Sequence, residues 1–477
     1  MTTETRATAA VVEYVTRTHF DRFPREAISL ATHHIVDGLG VILAGSAARG
    51  TAIVRDYVRA GREIGEASVL GAETLSCRAA SAALVNATAG HADDFDDTQL
   101  SSMPDRIFGL LTHPTIPPLA ASLAIGERLG VSGRQFIEAY LTGVEVECKM
   151  AEAIDPTHYQ NGFHSSGTFG TFGAVVSASK LLGLNADACA HALAMASSMS
   201  SGIRLNFGTM TKPLHVGRAA QNGIIAAELA SRGHTGGKDA LDSPWGFFRV
   251  FTLGAGFDAG QIVGRLDNPP SIVSPGVSLK PYPCGSLGHP SMDAMLTLVK
   301  AHDVTPEQVR AVRVRAGSNI LNPLRYDIAS TELEAKFCPA FMMSSLILRR
   351  KAGIHEFTDE FVRSAPVQAM MKKVAKVRDA GIEARGFDRM RSIIEVDLTD
   401  GRTLVQEADE RYRGGPEKPF TREELHGKFT DCASLVLRPD AIAATLERLE
   451  SLEQVRNIRE VVGLLTAGTL AGQPAAS

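Results

Sequence analysis

The sequence predicts a mainly helical protein. A large all-helical domain is formed by both chain ends, and a smaller α+β domain is inserted between them. Three observations lead there. Apolar-periodic segments follow one another through the first half with no strand pattern between them, which is too much consecutive helix for a βαβ plan. Near residue 265 the pattern changes: Pro269, Pro270, Pro275, Pro281 and Pro283 crowd a short stretch, and strand patterns follow. The segment Asp440–Leu465 then returns to helix. The predicted helical domain comprises residues 1–265 and 409–477, and the α+β domain residues 266–408.

Taken in order, Ala9–Phe20 and Arg25–Leu43 carry apolar residues at helical spacing, for example Ile28, Ala31, Ile35 and Leu39. Ala79–His91 is alanine-rich and helical. Pro117 and Pro118 open a helix to Leu129, since proline is tolerated in a first turn. Ser132 caps a long helix through about Ala153. Helices Ala174–Leu184 and Ala186–Ser198 are parted by a break at Gly183 and Asn185, and Val216–Arg232 ends at Gly233. In the second part, Thr305 and Pro306 start a short helix before the alternating strand Ala311–Ala316. Ser392–Leu398 and Arg402–Val405 flank Asp400-Gly401, which suits the primed turn of a hairpin. No fixed-period repeat is present, which disfavours a solenoid.

Composition narrows the function. The chain has 477 residues, 44% of them hydrophobic and 21% charged, as in an ordinary globular protein. Its 49 Lys+Arg and 53 Asp+Glu give a net charge of −4 with no dense basic run, which argues against nucleic-acid and membrane-surface partners. The polar start, Met1 to Ala10, does not resemble a secretory signal. Uninterrupted apolar runs such as Gly38–Gly45 fall short of the roughly 20 residues that span a bilayer. The six cysteines are scattered without a C-x-x-C pair, so reduced thiols and a cytoplasmic location are expected, without disulfides, zinc or an iron–sulfur cluster.

Five segments could carry chemistry. His91-Ala92-Asp93-Asp94-Phe95-Asp96-Asp97-Thr98 packs four carboxylates at a helix end, and their repulsion demands a cation, a hydrogen-bond network or proton uptake. A capping, solvated helix end is the plain alternative. A magnesium–diphosphate site of the prenyl-synthase kind needs a second acidic cluster, and no convincing one is present. Thr112-His113-Pro114 sets a histidine just before a helix N-terminus, where anions bind and histidine can move protons, although a lone histidine more often packs. Gly162–Gly173 surrounds His164 with small and hydroxyl residues, suiting either tight helix packing or an anion cradle. In Asn206–Ala220, Lys212 and Arg218 flank a helix start, a placement that makes more sense with an anion bound there. Lys280-Pro281-Tyr282-Pro283-Cys284-Gly285-Ser286-Leu287-Gly288-His289-Pro290 is a stiff loop at the expected domain junction. Gly254-Ala255-Gly256 lacks the context of a dinucleotide fingerprint, and Gly233–Lys238 lacks the Ser/Thr of a P-loop.

In their order, the segments DFDDT, HP, GFH, GTMTKPLHVGRAA and KPYPC…HP resemble the MmgE/PrpD family over nearly the whole chain. That family includes 2-methylcitrate dehydratases, cis-aconitate decarboxylases and an iminodisuccinate epimerase. The resemblance implies that the inserted α+β domain is a lid, and it implies a homodimer, a small polycarboxylate substrate, and neither metal nor cofactor. It maps Asp94, Thr98, His113, His164, Lys212 and Lys280 onto active-site positions. Arg218, Tyr282 and His289 are added as substrate-binding candidates. Where the decarboxylase branch has a second histidine and a tyrosine, this chain has Gly285 and, by a looser alignment, Phe341. The stretch Leu100–Leu111 is longer than in that branch and is expected to reshape the site's mouth.

The shared task of these reactions is to make or quench a carbanion beside a carboxylate, which calls for cations, one base and one acid. Lys212 and Lys280 are expected to bind carboxylates, with Arg218 as a helper or a structural ion pair. His113 and His164 are the acid–base candidates, and Asp94 orients a histidine or serves as the base. The expected function is a metal-independent hydro-lyase like 2-methylcitrate dehydratase. The alternatives are an epimerase acting at a carbon alpha to a carboxylate and, less favoured, a cis-aconitate decarboxylase.

Overall fold

Every residue of the Ala79–Ala92 helix is buried, and a helix without a polar face has to be enclosed by others. In the computed structural model, which describes residues 6–71, 73–102, 111–154, 157–254 and 256–467, that enclosure comes from four helices. They are Arg25–Gly45, Arg49–Ala60, Ile116–Leu129 and Thr211–Ser231. Residues 1–5 of the polar start, Ala255 and positions 103–110 of the long stretch before His113 lie outside the described residues, so the expectations placed on them are not addressed.

The chain divides into two compact units, one of Met1–Gln99, Leu111–Val277 and Thr421–Ser477, the other of Leu100–Leu110 and Ser278–Phe420. The division after Val277, rather than at residue 265, has a local cause. Ser271 donates its N–H to Glu145 Oε2 at 2.6 Å and its hydroxyl to Glu152 Oε1 at 3.0 Å, which ties this segment to the Gly133–Ile154 helix. The 408–420 segment stays with the second unit because Leu279 N–H bonds Gly414 O at 2.9 Å and Tyr412 meets His289.

The first unit is helical, with one small antiparallel hairpin, β1 (Ala67–Val69) and β2 (Leu75–Cys77). Sequence periodicity missed that hairpin and the Arg49–Ala60 helix. Two expected helices also start earlier than periodicity suggests. Ser165–Leu181 begins nine residues before Ala174, and Thr211–Ser231 begins five before Val216. The reason in the first case is glycine. Its low helix propensity hides the start, but close packing requires it: a Cβ on Gly173 would lie 2.9 Å from Pro118, and one on Gly170 2.6 Å from Pro117. Asp440–Leu465 forms two helices, Pro439–Glu450 and Arg459–Ala467, rather than one.

Gly223 shows the same close packing between the Thr211–Ser231 and Ser165–Leu181 helices. A Cβ there would sit 2.5 Å from both Ala174 Cβ and Val175 N. Overpacking of this kind costs about 1–3 kcal/mol. Gly223→Ala is therefore expected to lower the urea midpoint clearly. Gly463→Ala, at a helical position with nothing within 4 Å, should leave it unchanged or raise it.

The Arg25–Gly45 helix overturns one expectation: by length and composition it could cross a membrane. Thr32, His33, His34 and Asp37 interrupt its apolar runs without ending the helix. Here it is a core helix, because its buried His34 and Asp37 are met by Asp97 and Lys428 from other elements.

The second unit holds a four-stranded sheet in the order β4-β3-β5-β6. β3 (Val309–Ala316) pairs in parallel with β4 (Val374–Arg378) and antiparallel with β5 (Ser392–Leu398), which pairs antiparallel with β6 (Thr403–Glu407). The helices His289–Ala301 and Pro339–Arg349 pack on it. In β3, Val312, Val314 and Ala316 are buried, while Arg313 and Arg315 pair with Glu395, Asp397 and Asp379 on the other face. The β5–β6 turn is not a two-residue primed turn. Leu398 N–H reaches Arg402 O at 2.8 Å across Thr399-Asp400-Gly401, and Gly401 alone takes φ +92°. This is the three-residue loop that ends in a left-handed residue.

Candidate active site

The four carboxylates after the Ala79–Ala92 helix are relieved one at a time, by different partners. Asp94 adopts φ +52°, a left-handed conformation that only glycine visits routinely and that Asp and Asn tolerate best among other residues. Its Oδ1 accepts from Lys212 Nζ at 2.6 Å, with both side chains about nine-tenths buried or more. Asp96 accepts the Nδ1–H of His91 on both oxygens, at 2.8 and 2.9 Å. Asp97 Oδ2 accepts from His34 Nδ1 at 2.6 Å and from the Thr115 hydroxyl, which also meets Tyr140 OH at 2.7 Å. Asp93 is half-buried. A cation and a hydrogen-bond network therefore answer the repulsion.

Three histidines converge on this turn. His91 closes the Ala79–Ala92 helix, His113 precedes the Ile116–Leu129 helix, and His164 is the N-cap residue of Ser165–Leu181. The His91 ring centroid is 4.8 Å from that of His113 and 5.5 Å from that of His164. His113 is fixed at two points. Its main-chain N–H donates to Ser166 Oγ at 3.0 Å, and its Nδ1 donates to the Asp97 carbonyl at 2.6 Å. In the neutral ring that leaves the lone pair on Nε2. His91 is set in the same tautomer by Asp96.

His164 differs. Its Nδ1 faces His215 Nδ1 at 3.0 Å, Phe207 covers it edge-on at 5.0 Å, and its buried Nε2 has no hydrogen-bond partner among the described residues. Burial pushes its basicity well below the usual histidine range, and the neighbouring His91, Lys212, His215 and His113 add to this, since a second cation beside them is disfavoured. His164 is therefore neutral at pH 7. Burial, followed by Lys212, brings His215 down to about 4.

Below the cluster, His158 stacks flat on Phe163 at 4.5 Å and bonds the Phe251 carbonyl and Thr168 Oγ1. Burial lowers it to about 4, against an unfolded value near 6.5. The folded state thus favours the neutral ring. The stability this gives is complete above pH 6.5 and is lost as the pH falls toward 4, by about 1.4 kcal/mol per unit. Glu145, which burial pushes up to about 8, has the opposite dependence. Comparison with His158→Gln cancels it. The stability advantage of wild type over that variant, measured by urea titration, should be about 2 kcal/mol smaller at pH 5 than at pH 8.

His91, Asp96 and His113 each offer a ligand atom within 4.8 Å of the others, so the group could hold a metal ion. The geometry of the Nδ1 atoms is that of hydrogen bonds to oxygen, however, and a cation would have to replace those protons or use the Nε2 atoms.

The sequence-selected residues divide as follows. Asp94, His113, His164 and Lys212 come together. Thr98 lies buried beside them in sequence, and its hydroxyl has no hydrogen-bond partner among the described residues. Arg218 does not join them: it is exposed and bonds Gln221. The helix starts at Thr211, so Arg218 lies six residues past Lys212 and points elsewhere, whereas His215, three residues on, shares the Lys212 face. In the second unit, Lys280 is fully buried. Tyr282 and His289, expected to bind substrate, each make hydrogen bonds within that unit. Tyr282 OH donates to Asp293 at 2.7 Å. His289 bonds Tyr412 OH at 2.6 Å and the Cys284 carbonyl at 3.1 Å. Sequence reasoning gave no role to His91, Asp96, His215 or His34. The first three lie inside the quoted segments, but nothing in the apolar run around His34 marks it.

Comparison with known proteins covers nearly the whole chain. Residues 9–259 match the model of the MmgE/PrpD N-terminal domain, and residues 282–454 match that of the MmgE/PrpD C-terminal domain. The cis-aconitate decarboxylase of Mus musculus is 28% identical over 448 residues, covering 90% of this chain and 87% of its own length. The Homo sapiens cis-aconitate decarboxylase is also 28% identical, covering 90% and 88%. That of Aspergillus terreus is 21% identical, covering 96% and 95%.

Proposed function

The chain belongs to the MmgE/PrpD family of enzymes, and from that membership we propose that it is a metal-independent lyase that eliminates water from a small 2-hydroxy polycarboxylate. The observation that carries the reading is the buried grouping of an ammonium, Lys212, with His91, His113 and His164 in fixed orientations. A cation beside histidines with defined lone pairs supplies what a carbanion next to a carboxylate needs. Lys212, held by Asp94, would share its charge with a substrate carboxylate. A histidine takes the proton from the adjacent carbon, the electron pair becomes the double bond, and the leaving oxygen is protonated as it departs. Neutral His164 can donate one hydrogen bond and accept another.

Decarboxylation of cis-aconitate is the second reading, and the names of the relatives favour it. Two residues weigh against it. Phe341 is fully buried against Phe357 and Phe361, and offers no hydroxyl where that branch has a tyrosine. Gly285 has no side chain where that branch has a histidine, and a Cβ there would already meet Leu324 at 3.0 Å. The test is product analysis with 2-methylcitrate, citrate and cis-aconitate in the presence of EDTA. Loss of water supports the first reading. Release of CO2 from cis-aconitate replaces it with the second, and loss of turnover in EDTA rejects metal independence.

A further inference from the structure

Lys428 reaches the acidic turn from 333 residues further along the sequence than Phe95, which it meets there. It lies on the Arg422–Ala433 helix, which packs along Arg25–Gly45 within the same unit. Gly40 permits that approach: a Cβ there would lie 3.1 Å from Cδ2 of Phe429, the residue after Lys428. The Lys428 ammonium makes three contacts. Its Nζ is 2.6 Å from Asp37 Oδ1, 2.8 Å from the Phe95 carbonyl oxygen and 3.9 Å from the centre of the Phe95 ring. The side chains of Lys428, Asp37 and Phe95 are all buried. Resting on the lyase reading above, we propose that Lys428 is a positioning residue of the candidate active site: by gripping Phe95 it holds Asp94 in its left-handed turn, and so sets where Asp94 places the Lys212 ammonium.

Asp37 by itself would need only a counter-charge. Two of the three contacts go instead to a single residue, one to its main chain and one to its ring. A charged donor makes a stronger hydrogen bond than a neutral one, and a desolvated cation over a ring face adds an attraction of its own. Phe95 is thus fixed in position and in rotation.

Phe95 directly follows Asp94, whose φ of +52° is a conformation that a residue other than glycine keeps only where its surroundings over-determine it. On one side, the Asp94 N–H bonds the His91 carbonyl at 3.3 Å. On the other side, Phe95 is anchored to Lys428. With the turn set from both sides, the Asp94 carboxylate meets Lys212 Nζ at 2.6 Å. Lys428 touches no reacting atom, and its effect passes through Phe95 and Asp94 to Lys212. A misplacement of about 1 Å caused by a change far from the chemistry can cost about 100-fold in rate.

The test separates turnover from stability in the full chain. Lys428→Met keeps the bulk of the side chain but strands the Asp37 charge, so the urea midpoint and kcat should both fall. The double variant Asp37→Asn/Lys428→Met removes both charges and strands neither. It should recover much of the midpoint, while kcat stays about 100-fold below wild type because Phe95 is still unanchored. A purely structural lysine requires turnover to return with stability, and a wild-type kcat in the double variant overturns the proposal. A crystal structure of that variant needs no substrate, so it decides even if every acid is left unchanged and the lyase reading fails. In it Asp94 should leave the left-handed region or part from Lys212. A turn that keeps both its φ and its contact with Lys212 overturns the proposal. Should neither charge variant fold, Phe95→Leu leaves both charges paired and removes the ring. The same displacement of Asp94 is expected there, and an unmoved turn overturns the proposal.

Discussion

Replacing Lys212 by methionine is expected to abolish turnover and to destabilise the protein at the same time. The two losses have separate causes and can be separated. Stability falls because the Asp94 carboxylate, 4% exposed, loses the ammonium 2.6 Å away. Removing one member of a buried pair costs about 3–5 kcal/mol. Turnover falls because the carbanion of the proposed reaction loses a stabilising cation, and loss of such a group costs about 10²–10³-fold. Asp94→Asn in the same chain should restore much of the stability, since asparagine tolerates the φ of +52° and carries no charge to bury. It should restore none of the turnover. A double variant as active as wild type would make the pair purely structural. A single variant as stable as wild type would contradict the burial of the pair.

The second large effect runs the other way. His164 buries a ring nitrogen that has no hydrogen-bond partner among the described residues, next to groups that disfavour its charge. Burying an unsatisfied polar group costs about 1–3 kcal/mol. Nothing in the packing needs that nitrogen, because Phe207 and the His91 ring would contact an apolar side chain equally well. His164→Leu is therefore expected to keep or raise the thermal midpoint while lowering turnover by about 10²–10⁴-fold, as removal of an acid–base group does. His215 loses its partner in this variant, but it is only half-buried and can turn to water. A collapse in stability together with retained specific activity would reverse the assignment.

How much of this the sequence carries depends on whether the signal is local. Four carboxylates at a helix end announce a problem, and the residue order places His91 beside them. The solutions come from afar: His34 and Lys212 are 63 and 118 residues from the carboxylates they meet, and no periodicity reports that. Arg218 was misplaced for a local reason. With the helix start set five residues late, Lys212 and Arg218 both seemed to flank it. Once the start is Thr211, the 100° step per residue puts His215 on the Lys212 face and Arg218 away from it. The Gly162–Gly173 stretch is ambiguous in sequence because glycine opposes helix and permits close packing alike. Contact with Pro117, Pro118 and Glu147 decides it. The strands of the second unit were plain where side chains alternate in and out, as in β3. β4, with Val374, Lys376 and Val377 half-buried and Ala375 and Arg378 exposed, buries no residue fully and gives no such signal.

The most direct test of the central claim is proton NMR in D2O with EDTA. Purified protein would be offered 2-methylcitrate, citrate, cis-aconitate and iminodisuccinate, beside the His164→Leu and Lys212→Met variants. The account predicts loss of water, or deuterium exchange at a carbon next to a carboxylate, for at least one substrate with wild type, and neither with the variants. Wild type that leaves every acid unchanged and unexchanged, or variants that match it, would contradict the account.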